Sequence, residues 1–226
     1  MSRFDLSKKV EAARFVLTKR KIENIPSQVA FGLDISGSMR GLYNNGTVQN
    51  VVERILGISI NVDENKEVDI WTFDNNSQKI KTVKEDNVEN YVTNEILNNS
   101  SVRKWGGTNY APVMDEIIKE FFGNKILSFF SSKKKIPVTA LIITDGENEW
   151  NDRQNTIKLI ESNFNKNIYW NFIGIGGSNF PFLEKLASEY DNVGFASVND
   201  IESISDSGLY EIIINEEYAN WIKDFR

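Results

Sequence analysis

Val29-Ala30-Phe31-Gly32-Leu33-Asp34-Ile35-Ser36-Gly37-Ser38 and, much later in the chain, Val138-Thr139-Ala140-Leu141-Ile142-Ile143-Thr144-Asp145-Gly146 decide the reading of this sequence. Each is a short apolar run that stops at an aspartate and passes into small, polar loop residues. Apolar residues at consecutive positions mean burial on both faces, as in the central strands of a parallel sheet. The first strand is read as Gln28 to Asp34 and the second as Val138 to Thr144.

Outward from these two runs, the pattern alternates. Thr47 to Ile60 places Val48, Val51, Val52, Ile55 and Leu56 on one helical face. Glu67 to Phe73 reads as a strand, and Gln78 to Val83 as a short antiparallel partner reached through the turn Asp74-Asn75-Asn76-Ser77. Helices are predicted from about Val88 to Leu97 and from Ala111 to Phe122, on either side of a polar loop, Asn98 to Tyr110. A helix from about Arg153 to Phe164, a strand Ile168 to Ile175, a helix Pro181 to Tyr190 and a strand Val193 to Ser197 follow. Asp5 to Lys21 reads as an amphipathic helix ended by Pro26, and Glu216 to Arg226 as a closing helix anchored by Trp221. This order predicts an α/β fold: a doubly wound, mostly parallel central sheet with one short antiparallel edge strand and helices on both faces. The expectation is a single domain over residues 1–226, with an N-terminal helix (1–25) packed on a core (26–226) that ends in a helix.

Composition narrows the chemistry. The 226 residues are 40% hydrophobic and 26% charged, as in an ordinary globular protein. A net charge of −6, with Lys133-Lys134-Lys135 as the largest basic run, argues against nucleic-acid binding; that run reads as a solvated helix end. Cysteine and histidine are both absent. Thiolate zinc sites, disulfides, Ser-His-Asp hydrolysis and His-bound metals are thereby excluded, and any site must be built from oxygen ligands, Lys or Arg. No apolar stretch approaches the ~20 residues of a membrane span, and residues 1–23 lack the apolar core of a signal peptide. The expectation is a cytoplasmic protein.

The candidate site lies at the ends of the two runs, where doubly wound sheets bind ligands. Asp34-Ile35-Ser36-Gly37-Ser38 carries a carboxylate and two hydroxyls at alternate positions of a loop that Gly37 can bend, so three oxygens can face one point. With a hydroxyl from Thr108, in Gly106-Gly107-Thr108-Asn109, and the carboxylate of Asp145, this is a ligand set for a hard divalent cation. Magnesium is the first choice; manganese and calcium are alternatives. Two carboxylates balance the charge, and three neutral ligands leave the metal electrophilic enough to accept a partner's carboxylate. Taken alone, each loop has another reading, since Asp34 and Ser36 are also helix-capping residues and Asp145-Gly146 a turn. Turn chemistry does not predict all three features together.

At these residues the sequence resembles the von Willebrand factor A family, whose metal-ion-dependent adhesion site has the pattern Asp-x-Ser-x-Ser, then Thr, then Asp. Asp34, Ser36, Ser38, Thr108 and Asp145 match all five positions. The resemblance implies direct metal binding by the hydroxyls, with the aspartates acting directly or through water, and a protein-interaction function without turnover. More narrowly, Val29 to Met39, Gly106 to Met114, Ile142 to Glu147 and Val198 to Lys223 are similar to the A-type domain of the bacterial and phage tellurium-resistance and stress-response group. The calcium-binding module often fused to the domain in that group is missing from this sequence.

The competing class is a magnesium-dependent phosphatase or phosphotransferase with an aspartate nucleophile at the first strand end. The haloacid dehalogenase kind places a second Asp two residues on, where this chain has Ser36. Nucleotide binding finds no phosphate-loop motif, only Gly174-Ile175-Gly176-Gly177 after a late strand. Trp105 and Trp150 flank the ligand loops and read either as a rim for a partner or, more commonly for Trp, as packing under their own loops. Glu147 and Asn148 are read as second-sphere or turn residues, Asp74 as a water-holding or turn residue, and Trp71 and Trp170 as core.

Overall fold

A computed structural model describes residues 3–123 and 136–225. The run Lys133 to Lys135 lies outside the described residues. The strands are β1 (Gln28–Asp34), β2 (Asp69–Phe73), β3 (Ser77–Lys79), β4 (Val138–Thr144), β5 (Ile168–Ile175) and β6 (Val193–Val198). Among the described residues they form one six-stranded sheet in the order β3-β2-β1-β4-β5-β6. Only β3 runs antiparallel, against β2. The doubly wound sheet with one short antiparallel edge is therefore present, and the short edge pairing extends as a single bridge between Val68 and Val83.

Helices α1 (Arg3–Arg20), α2 (Arg40–Asn44), α3 (Thr47–Val62), α4 (Ala111–Phe122), α5 (Trp150–Ser162), α6 (Pro181–Glu189), α7 (Asp206–Ile213) and α8 (Glu216–Lys223) surround it. Because successive strand residues point to opposite faces, odd and even positions of the central strands enter different cores. Val29, Phe31, Leu33, Leu141 and Ile143 join the core under α1, α3, α7 and α8, whereas Ala30, Val138, Ala140 and Ile142 join the one under α4, α5 and α6. Trp71 and Trp170 are core residues, as expected. Gly32 allows α4 to approach β1: a Cβ there would stand 3.3 Å from Val113 Cγ2.

Three elements depart from the expectation. The Val88 to Leu97 segment is helical only as a π-helical turn, Val92–Leu97. Asn90 adopts φ +55°, which interrupts any regular helix begun at Val88. Short helix α2 follows the Asp-x-Ser-x-Ser loop, and α7 occupies a stretch to which the sequence reading assigns no element. Ser205 caps α7 by accepting from Gly208 N at 3.1 Å. Trp221 of α8 packs against Tyr169 and Phe225, with ring centroids 5.2 and 4.8 Å away.

Candidate metal centre

Strand order reverses between β1 and β4, so the crevice at their carboxyl ends is the topological switch point. Leu33 is level with Ile143, which puts Asp34 beside Thr144 and leaves Asp145 one step beyond. Asp34 and Thr144 are both even positions and share the α4 face. Thr144 Oγ1 donates to Asp34 Oδ2 at 2.6 Å, and Ser36 N donates to Asp34 Oδ1 at 2.7 Å. Asp34 is fully buried. Burial pushes its carboxyl up to about 7, against the opposing pull of the Thr144 and Ser36 hydrogen bonds and with a small further push from Asp145.

From Asp34 the polar chain runs outward. Ser36 Oγ lies 3.2 Å from Ser38 Oγ, and Ser38 Oγ donates to Asp145 Oδ1 at 2.7 Å. Ser36 is buried, Asp145 half-buried and Ser38 exposed, so one end of the cluster meets solvent. Four of the five sequence-derived residues are thus joined at hydrogen-bonding distances. Asp34 and Ser36 satisfy each other here and do not cap a helix: the N-cap residues of α2 and α3 are Met39 and Gly46, and neither helix has a side-chain cap.

Thr108 is held in place by its neighbours. Gly37 N donates to Gly106 O at 3.0 Å and Trp105 N to Ile35 O at 2.8 Å, stitching the Gly-Gly-Thr loop to the aspartate loop. Gly107 N donates to Asn75 Oδ1 at 2.7 Å, Asn75 Nδ2 to Glu149 Oε1 at 3.0 Å, and Glu149 N to Thr108 O at 2.9 Å. These bonds close a ring around the Thr108 backbone. Asn109 N and Nδ2 add bonds to Asp74 O and Asn75 O. Thr108 is not the cap of α4. The amides of Tyr110 and Ala111 are accepted by buried Asp152, at 2.7 and 3.2 Å from Oδ2.

Thr144, Asn75 and Asp152 were not singled out by sequence reasoning. Thr144 had a signal, its parity with Asp34, but only once β1 and β4 are known to be neighbours. Asp152 had none, because it caps a helix 41 residues away in sequence. Glu147 binds Arg153 and the Phe182 amide, and Asn148 binds Asp152, so neither faces the cluster. Asp74 closes its own turn by accepting from Asn76 N at 2.9 Å. Trp105 packs edge-on against Tyr43 with the Arg40 guanidinium 5.0 Å from its ring, whereas Trp150 is 82% exposed.

The donor set suits a hard cation. It holds two carboxylates and hydroxyl groups, all oxygen, and a buried carboxylate that meets no Lys or Arg among the described residues. Among the described residues no group of three Asp or Glu side chains is placed to hold a metal ion, so a metal here would rely on the hydroxyls.

This sheet order, with a polar cluster between the first and fourth strands, defines a von Willebrand factor A-type fold. Residues 26–226 match the family described as vWA-TerF-like, the vWA found in the TerF C terminus, and the chain belongs to that family. An uncharacterized Bacillus subtilis protein, YcbR, is 36% identical over 99% of this chain and 88% of its own length. Among solved structures, the SpRpn10 VWA domain superposes with a TM-score of 0.54 at 14% identity, over 81% of this chain and 97% of that one. Proximal thread matrix protein 1 of the mussel byssus, with a zinc-occupied MIDAS motif, gives 0.55 at 15% identity over 85% of this chain. The present chain spans only 48% of that protein. Domains of this class commonly bind a divalent metal and mediate protein interactions. No described helix is long and apolar enough to cross a membrane.

Proposed function

We propose that this protein is a divalent-cation-binding interaction module. Asp34, Ser36, Ser38, Thr108 and Asp145 hold one magnesium ion, with manganese or calcium as substitutes, and a protein partner supplies a carboxylate to it. The observation that carries the reading is the continuous polar chain from buried Asp34 through Ser36 and Ser38 to Asp145 at the solvent edge. A bound cation would supply the positive charge that buried Asp34 lacks and an open coordination position for an outside oxygen. In this reading the chain's own hydroxyls and carboxylates bind and orient, and none acts as a nucleophile. The work is cytoplasmic and belongs to tellurium resistance or a related stress response, as the family's TerF link suggests.

Calorimetric titration of the metal-free protein with magnesium should show one site per chain and a raised melting temperature, because a ligand that binds only the folded state stabilises it. A partner from extract should be retained with magnesium and released by EDTA. Neither heat nor a melting shift at millimolar metal would sink the assignment. Hydrolysis of p-nitrophenyl phosphate that Asp34→Asn abolishes would favour the phosphatase class instead.

A further inference from the structure

Beside the cluster, and opening at Ser38 and Asp145, runs a groove of about 500 Å³. That volume suits a small ligand or a few side chains of a peptide. Its walls come from the loops that follow β1, β4, β5 and β6. Leu42, Ile175 and Ile201 give it an apolar lining, and Asp200 and Glu202 stand on the wall contributed by the β6–α7 loop.

That wall is fixed in place. Arg54, a buried residue of α3, donates from both terminal nitrogens to Ile201 O and Ile204 O at 2.9 Å, and its Nε lies 2.8 Å from Asp206 Oδ1. Glu202 Oε1 accepts from Asn45 Nδ2 at 3.1 Å and from the Thr47 hydroxyl, which ties the loop to the α2–α3 turn. Asp200 Oδ1 accepts the amides of Glu202 and Ser203, at 3.0 and 3.2 Å. Ser178 Oγ donates to Asp145 O at 2.8 Å and fastens the opposite loop to the site. All these partners of Asp200 and Glu202 are neutral. No ion pair joins either carboxylate to a Lys or Arg among the described residues.

A ligand that brought only a carboxylate to the metal would lay its negative charge in a groove with two uncompensated negative charges, and like-charge juxtaposition selects against such partners. A ligand that also carries a cation meets the opposite situation. We infer that this groove selects a protein partner whose metal-binding Asp or Glu is accompanied by a Lys or Arg, with apolar residues beside them. The carboxylate seats at the Ser38–Asp145 end and the cation at Asp200 and Glu202. This rests on the metal-binding reading above and adds to it the chemistry of the partner.

The test uses the full chain and blocked synthetic peptides that carry one Asp and one Lys separated by none to three apolar residues. A matched set replaces Lys by norleucine, which keeps the methylene stem and removes the charge. Affinities are measured by fluorescence anisotropy at low ionic strength, in magnesium and in EDTA. The comparison protein is Asp200→Asn/Glu202→Gln, in which both amide side chains retain an acceptor oxygen for the bonds above. With magnesium, at least one lysine peptide should bind about tenfold more tightly than its norleucine match, and the double variant should lose that preference while binding magnesium as the wild type does. Equal affinity for the two peptide sets, preference retained in the double variant, binding indifferent to EDTA, or no peptide binding at all would overturn the inference. So would a second magnesium ion per chain that the double variant loses, since the wall would then be a cation site. Absence of magnesium binding by the wild type would instead remove the metal reading, and this inference with it.

Discussion

Replacing Asp34 by Asn should make the metal-free protein more stable, and magnesium should cancel that advantage. The buried carboxyl titrates near 7 in the folded chain, against 3.8 as the ordinary value. A folded-state value above the unfolded one means that the native protein holds the proton more tightly. Stability is therefore lost as pH rises from about 4 towards 7, and the full penalty is present above 7. A gap of about three units corresponds to on the order of 4 kcal/mol at pH 8. Asn carries no such penalty, but it cannot accept from both Thr144 Oγ1 and Ser36 N, which costs about 1–2 kcal/mol. The net expectation in EDTA at pH 8 is a gain on the order of 2–3 kcal/mol, shrinking towards zero near pH 5. Magnesium at a hundred times its dissociation constant would stabilise only the wild type, by about 2.7 kcal/mol. Urea unfolding followed by tryptophan fluorescence, at pH 5 and pH 8, with EDTA or magnesium, measures all four states. An Asn variant less stable than the wild type in EDTA at pH 8, or equal stabilisation of both by magnesium, would refute the reasoning.

Thr108→Ala should weaken magnesium binding by about tenfold or more, while metal-free unfolding changes by no more than the ~1 kcal/mol of a lost hydroxyl bond; Ser100→Ala, in the same loop, should alter neither. Unchanged calorimetric affinity in Thr108→Ala would remove the third hydroxyl from the site. Asn75→Ala opens the ring around Thr108 without removing any proposed ligand, so magnesium affinity should fall several-fold, about 1 kcal/mol. Affinity equal to the wild type, measured the same way, would show that the ring does not position Thr108.

What was legible in the sequence follows from the range of each signal. Asp34 and Asp145 were found because they end mostly apolar runs, residues 29–33 and the continuous Leu141, Ile142 and Ile143 before Thr144, whose apolarity reports burial without reference to any other part of the chain. The outer elements were less clear. Asn90 in a left-handed conformation and the Ser-Asp-Ser-Gly start of α7 are local choices that tertiary contacts decide, and periodicity over Val88 to Leu97 carries no trace of the interruption. Thr144, Asn75 and Asp152 were out of reach for a different reason. Each acts across strand or loop neighbours, and hydrophobic pattern specifies which face a residue takes but not which strand lies beside it.

The same distinction explains why the candidate site looks poorly made by the standards of stability. Asp34 sits where the sheet register places it, fully buried, with hydrogen bonds but no cation among the described residues, and it costs the folded state free energy whenever it is ionised. Thr144 and Ser36 moderate that cost without cancelling it. The neighbouring loops, by contrast, are well satisfied: Asp152 takes up two helix amides, Asn75 closes a ring, and Arg54 secures two points of the β6–α7 loop and the first residue of α7. A chain that spends hydrogen bonds so fully around one uncompensated carboxylate keeps a local conflict of the kind that folding alone would remove, and such conflicts concentrate where a ligand completes the structure. In the proposed reading, the group that completes the site is positive, takes oxygen ligands and enters from the Ser38 side. A divalent cation meets all three conditions, whereas a Lys or Arg of a partner would have to reach a carboxylate that is fully buried.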